Sequence, residues 1–207
     1  MDTGANVGHH SLFISGFAKK VICFEPFPTF YKLIEEKIRI NKIVNIDAYN
    51  VGLSNKNEEL LYYAPAENQS NKGTESFVKD YNSGINPSFI LNLTTGDEFV
   101  KKHHIENIDF IKINVEGFEK EVLEGLSNLI IESTPIIFME FSTFTATKVG
   151  SFHNLQKLFH NSYKFYYYDK YNSKKELLNF DDIGPDIIAI PNRFKKKLIN
   201  TFENIYI

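Results

Sequence analysis

The sequence predicts an α/β fold, a doubly wound and mostly parallel sheet with helices on both faces. Three observations predict it. Short apolar runs alternate with stretches of helical periodicity along most of the chain, the pattern of a parallel sheet. A glycine turn, Gly4-Ala5-Asn6-Val7-Gly8, opens the first such unit. An acid, Glu25, then closes the next apolar run, close to the ~20 residues expected between a glycine turn and a ribose-binding acid.

Asp2 belongs at the end of the first strand, and only Met1 precedes it. That strand is central in a doubly wound sheet and buried on both faces. The first strand is therefore expected to be largely missing, leaving a gap between its neighbours. Residues 1–207 read as a single domain truncated at its N-terminus, and the polypeptide as written is expected to fold poorly. After the glycine turn, Leu12, Phe13 and Phe17 give a short helix one apolar face. Val21 to Phe24 reads as a buried strand. Phe30, Leu33, Ile34 and Ile38 recur at helical spacing, with Lys32, Glu35, Glu36 and Lys37 between them. Ile46 to Leu53 is the next strand. The alternation resumes with a strand at Ile108 to Ile113, a helix at Phe118 to Ile131 and a strand at Pro135 to Phe141. Tyr163 to Tyr168 is an aromatic strand.

The interval 54–92 breaks the rhythm. Leu60-Leu61-Tyr62-Tyr63 reads as a hairpin strand, and the rest is polar, with Asn68-Gln69-Ser70-Asn71-Lys72-Gly73. A long irregular segment inside a compact domain is more often functional than accidental, so 54–92 reads as an insertion or lid. A disordered surface loop is the alternative. Ser142 to Gly150 is a second candidate wall.

Length and composition narrow the class. A chain of 207 residues is one domain by size. With 43% hydrophobic and 24% charged residues it has an ordinary globular composition. A net charge of −3 offers no basis for holding nucleic acid by its phosphates. Cys23 is the only cysteine, which excludes an internal disulfide and a Cys-rich zinc site. No apolar run reaches the ~18 residues of a membrane span. The first residues are a glycine turn, not a basic stretch before an apolar one, so cytoplasmic is the default location. Oligomeric state is left open.

The glycines let the backbone turn sharply and approach a ligand. Glu25 can accept hydrogen bonds from two ribose hydroxyls. The turn reads D-x-G-A-N-x-G, not the G-x-G-x-x-G that cradles a dinucleotide diphosphate. An acid in front suits an ammonium, and loop amides suit a carboxylate. Both belong to the amino-acid end of S-adenosylmethionine, which is therefore favoured over NAD. A tight strand-to-helix turn is the plainer reading of the glycines alone. The cofactor-binding set is Asp2, Gly4, Asn6, Gly8 and Glu25, with Asn50 near the base.

A third segment is Ile111-Lys112-Ile113-Asn114-Val115-Glu116-Gly117-Phe118-Glu119. Together with Phe24-Glu25-Pro26-Phe27-Pro28, Pro135-Ile136-Ile137-Phe138-Met139-Glu140 and Asp186-Ile187-Ile188-Ala189-Ile190-Pro191, it resembles the FkbM family of S-adenosylmethionine-dependent methyltransferases. The resemblance runs from Asp2 to about Pro191. It implies a Rossmann-like sheet of the class I methyltransferase type and methyl transfer to oxygen of a small-molecule or glycan acceptor. The family usually carries an acid where this chain has Asn114. Asn hydrogen-bonds but cannot take a proton at neutral pH.

The candidates for the chemistry are Asn114, Glu116, Glu140 and Lys112. A hydroxyl acceptor gains from a general base. Glu116 suits that role, or simply favours the start of the next helix through its dipole. Glu140 ends an apolar strand, an unusual place for a solvated acid. Lys112 sits inside a buried strand and needs a partner, with Glu116 or Glu140 expected, whether for substrate positioning or as a structural ion pair. His9 and His10 are adjacent on a helix, point in different directions and make a poor ligand pair, so no metal is expected. Two alternatives remain: a non-catalytic cofactor-binding or interaction module, suggested by Asn114, and a nucleotide-dependent oxidoreductase.

Overall fold

A computed structural model of the chain describes residues 1–64, 86–168, 173–181 and 186–194. Strands β1 (Asp2–Thr3), β2 (Val21–Phe24) and β3 (Ile46–Tyr49) alternate with helices α1 (His9–Ser15) and α2 (Pro28–Ile40). Then come β4 (Gly52–Ser54), β5 (Glu58–Ala64), β6 (Asn86–Thr95) and α3 (Gly96–Lys102). The second half holds β7 (Phe110–Ile113), α4 (Glu119–Gly125), α5 (Ser127–Ser133), β8 (Ile136–Glu140), α6 (Thr143–Val149) and α7 (Phe152–Leu158). It ends with β9 (Tyr163–Tyr168), β10 (Lys174–Glu176) and β11 (Asp186–Pro191).

Eight strands form the main sheet in the order β10-β9-β11-β8-β7-β1-β2-β3. Pairing is parallel from β8 to β3, while β11 runs antiparallel to both β8 and β9. The order turns back at β1, where chain excursions leave in opposite directions, and ligands of open α/β sheets bind at such a point. Strand β2 shows why helices cover both faces. Successive side chains of a strand point to opposite sides. Ile22 and Phe24 join the larger core, while Val21 and Cys23 join a smaller one with Ala5, Ile34 and Ile46. All four β2 residues are buried.

The first strand is as short as the sequence suggests, yet it spans the expected gap. Asp2 pairs with Cys23 on one side and Lys112 on the other. Met1 extends the ladder: its backbone nitrogen donates to the Phe110 carbonyl (2.8 Å), and the Lys112 amide donates to the Met1 carbonyl (2.9 Å).

Two expected elements are divided. The strand expected over Ile46 to Leu53 is two strands, because the chain leaves the main sheet at Asn50. The Asn50 side-chain amide donates to the carbonyls of Glu25 (2.9 Å) and Pro26 (2.8 Å), and β4 joins a separate three-stranded sheet, β4-β6-β5. The helix expected over Phe118 to Ile131 breaks at Leu126 into α4 and α5. Within 54–92, Leu60 to Tyr63 lies in β5, which pairs antiparallel with β6. The polar run Asn68 to Gly73 lies outside the described residues. Among the described residues no helix is long and apolar enough to cross a membrane.

Candidate functional site

At the carboxyl ends of β1, β2 and β7 lies a cavity of about 330 Å³, lined by the glycine turn, Glu25, Lys112 and the segment Asn114 to Glu116, among others. The turn curls around one acceptor: the amides of Gly4 (3.2 Å) and Ala5 (3.0 Å) both donate to the Phe24 carbonyl. Gly4 and Gly8 adopt φ of 73° and 82°, and Asn6 sits at 51°, a region that Gly enters freely and Asn more readily than most residues. Gly4 is also required by contact. A Cβ there would lie 1.8 Å from the Asn114 carbonyl oxygen, so the turn and the segment after β7 touch backbone to backbone.

Glu25 is buried at 4% exposure and holds this geometry. Its Oε2 accepts from the Asn6 amide (2.7 Å) and its Oε1 from the Phe27 amide (2.9 Å). A carboxylate fixed by two amides on a cavity wall, beside a glycine turn, fits the ribose of a nucleoside cofactor. Pro26, Phe30, Leu53 and Tyr62 give the same cavity an apolar flank suited to a base.

The comparisons with known proteins agree with this geometry. The model of the methyltransferase FkbM domain matches residues 2–167. The chain belongs to that family. The FkbM domain is an S-adenosylmethionine-dependent methyltransferase domain. The chain is 31% identical over 140 residues to the hexuronic acid methyltransferase AglP of Haloferax volcanii, a match covering 67% of this chain and 54% of that protein. It is 27% identical over 153 residues to the methyltransferase sdnD of Sordaria araneosa, covering 61% and 59%. The chain thus spans little more than half the length of these relatives. Among solved structures, the FkbM methyltransferase of Methylobacillus flagellatus superposes with a TM-score of 0.57 at 15% identity, covering 91% of this chain and 42% of that one. A Streptococcus mutans protein in complex with SAH superposes at 0.51 with 13% identity, covering 92% and 85%. Both show the same fold.

Within this FkbM domain the expected site residues part into two groups. Gly4, Asn6, Glu25, Lys112, Asn114 and Glu116 line the cavity, as do His9 and His10. Asp2, Gly8, Asn50 and Glu140 do not. Asp2 lies beneath the turn, fully buried. Its Oδ2 accepts from the Ser11 hydroxyl (2.6 Å), and its Oδ1 lies 3.1 Å from Lys112 Nζ. Lys112 also donates to the Gly4 carbonyl (2.9 Å). The partner of Lys112 is therefore Asp2, not Glu116 or Glu140, and Asp2 faces a protein ammonium. Asn50 supports the Glu25–Pro26 turn from behind and lies on a neighbouring hollow. Gly8 packs on Ile34, and its amide donates to the Ala5 carbonyl (2.8 Å).

Glu140 ends β8, half-buried, opposite Asp186 of β11. Burial raises its pKa above the usual carboxylate value; the carboxylates of Glu119 and Asp186 add to the rise, and Lys112 opposes it. Cys23 is a buried core thiol pushed up to about 12, chiefly by burial. Among the described residues no cluster of His, Cys, Asp or Glu is placed to hold a metal ion.

Glu119 had no role assigned from sequence. It is 1% exposed, its Oε1 accepts from the amides of Val115 and Gly117 (3.2 Å each), and its Oε2 accepts from the Thr145 hydroxyl (2.6 Å). A signal was present: Glu119, Val122, Leu123 and Leu126 follow helical spacing, and the last three are apolar, so the acid belongs on the buried face.

Proposed function

We propose that this FkbM domain transfers a methyl group from S-adenosylmethionine to an oxygen of a glycan or small-molecule acceptor, with a hexuronic acid residue as the first candidate. The observation that carries the reading is Glu25, a buried carboxylate oriented by the Asn6 and Phe27 amides on the wall of the cavity that the glycine turn closes. The hexuronic acid candidate comes from the Haloferax relative.

The cofactor supplies the activated methyl carbon, and the protein supplies alignment and a dry wall. Glu25 binds the ribose hydroxyls. Gly4 and Asn6 let the turn approach the cofactor's amino-acid end. Asp2 and Lys112 hold the turn from below through Ser11 and the Gly4 carbonyl. Asn114 and Glu116 face the acceptor side. Glu116 is the proton acceptor for a hydroxyl substrate, because Asn114 cannot take a proton. A carboxylate substrate is already ionised near neutrality and needs no base; Asn114 then serves it by adding no negative charge. Tyr62 of β5 lies on the cavity, which supports reading the described start of the interval 54–92 as part of the site's wall.

A second reading, a cofactor-binding module without turnover, is favoured by Asn114 in place of the family's usual acid. Transfer of tritium-labelled methyl to methyl glucuronoside and methyl glucoside separates the two. Labelled product on either glycoside, dependent on Glu25, supports the enzyme. Cofactor binding with no transfer to these or other oxygen acceptors favours the module.

A further inference from the structure

We propose that Glu119 is a positioning residue for this site: it holds the cavity segment Asn114 to Phe118 in shape and ties it to α6. The inference rests on reading the cavity as the cofactor site. That segment carries two consecutive left-handed residues, Glu116 (φ 52°) and Gly117 (φ 89°). Left-handed backbone costs free energy at a non-glycine residue and persists only where surroundings enforce it. Glu119 supplies the enforcement, since one carboxylate oxygen accepts from the amides on either side of Glu116.

The same carboxylate reaches a second element. Its other oxygen accepts from Thr145 of α6, whose side chain is also buried. Lys148 of α6 donates to the Gly117 carbonyl (3.1 Å) and pairs with Glu121 of α4 (2.6 Å). Helix α6 is thus fastened to the cavity segment at two points. The hold passes on to the cofactor turn, because the Asn114 carbonyl leaves no room for a Cβ at Gly4. A neutral side-chain amide keeps these contacts nearly as well: its carbonyl accepts from the two backbone amides, and its NH2 donates to the Thr145 hydroxyl oxygen, reversing that one bond. Geometry, not charge, is therefore what Glu119 contributes.

The test uses the full chain with three substitutions, amide hydrogen exchange and calorimetric titration with S-adenosylhomocysteine. Glu119→Met fills the space without accepting hydrogen bonds. It should speed exchange at Val115 and Gly117 and weaken binding about tenfold, the equivalent of about 1.4 kcal/mol. Glu119→Gln should restore both slow exchange and affinity. Thr145→Val, which removes the hydroxyl on Glu119 and leaves Lys148 on the Gly117 carbonyl, should speed exchange at the same two amides by less than Glu119→Met. If Glu119→Met does not fold, exchange faster than the parent in Thr145→Val supports the proposal and parent-like exchange overturns it. Parent-like exchange and affinity in Glu119→Met, or a Gln variant as impaired as the Met variant, would overturn the proposal. A parent chain that shows the exchange pattern but does not bind S-adenosylhomocysteine would refute the cofactor reading and leave Glu119 judged by exchange alone.

Discussion

Lys112 Nζ stands 3.1 Å from Asp2 Oδ1 across neighbouring strands β7 and β1, and both side chains are almost wholly buried. Their backbones share the ladder, so the pair is set by strand register. With Ser11 on the other carboxylate oxygen and the Gly4 carbonyl on the ammonium, it forms a polar support under the glycine turn.

Breaking one side of such a pair leaves a buried charge uncompensated, at a cost of about 3–5 kcal/mol. Lys112→Met and Asp2→Asn should each destabilise the chain by that order. The double variant should be less destabilised than the sum of the two singles. Denaturant unfolding measures all three. Additive losses would mean that the pair is not coupled.

Asn114 distinguishes the acceptor classes. With a hydroxyl acceptor, Asn114→Asp adds a base and should raise turnover. With a hexuronate carboxylate, it adds a like charge and should lower kcat/KM by raising the Michaelis constant. Steady-state kinetics on methyl glucoside and methyl glucuronoside check this. No change on either, with cofactor affinity preserved, would move attention to Glu116, tested by Glu116→Gln and pH–rate profiles.

Glu140 gives a pH dependence of stability. Its folded pKa is raised above the ordinary 4.5. Between that value and the raised one, the folded chain binds more protons than the unfolded chain, so stability falls as pH rises through the window. Asp186, also raised by burial, adds to the same slope. Glu140→Gln should flatten the slope and melt at or above the parent temperature near neutrality. A lower melting temperature at neutral pH would show that the ionised carboxylate is stabilising.

Sequence carried the parts of the site that depend on residue type and short spacing. Gly4, Asn6 and Glu25 were legible because a left-handed turn and the acid after the next strand leave a local pattern. The pairing of Asp2 with Lys112 was not legible, because it depends on which strands adjoin in the sheet and the two residues lie 110 positions apart. The place of Asn50 behind the Glu25 turn was not legible for a related reason: its strand ends at Tyr49, and its side chain reaches the Glu25 carbonyl on a neighbouring strand's end. Glu119 was legible in principle from the buried spacing of α4. Its partner Thr145 was not, because α6 reaches it only through tertiary packing.

The central claim is that this cavity takes S-adenosylmethionine with Glu25 on its ribose. Calorimetric titration of the full chain with S-adenosylmethionine, S-adenosylhomocysteine and NAD tests it most directly, repeated on Glu25→Gln. The account predicts binding of the first two and not of NAD. It also predicts a loss of about 1.5–3 kcal/mol in the variant, the size of a hydrogen bond to a charged acceptor. Binding of NAD alone, or unchanged S-adenosylhomocysteine affinity in a folded Glu25→Gln chain, would contradict it.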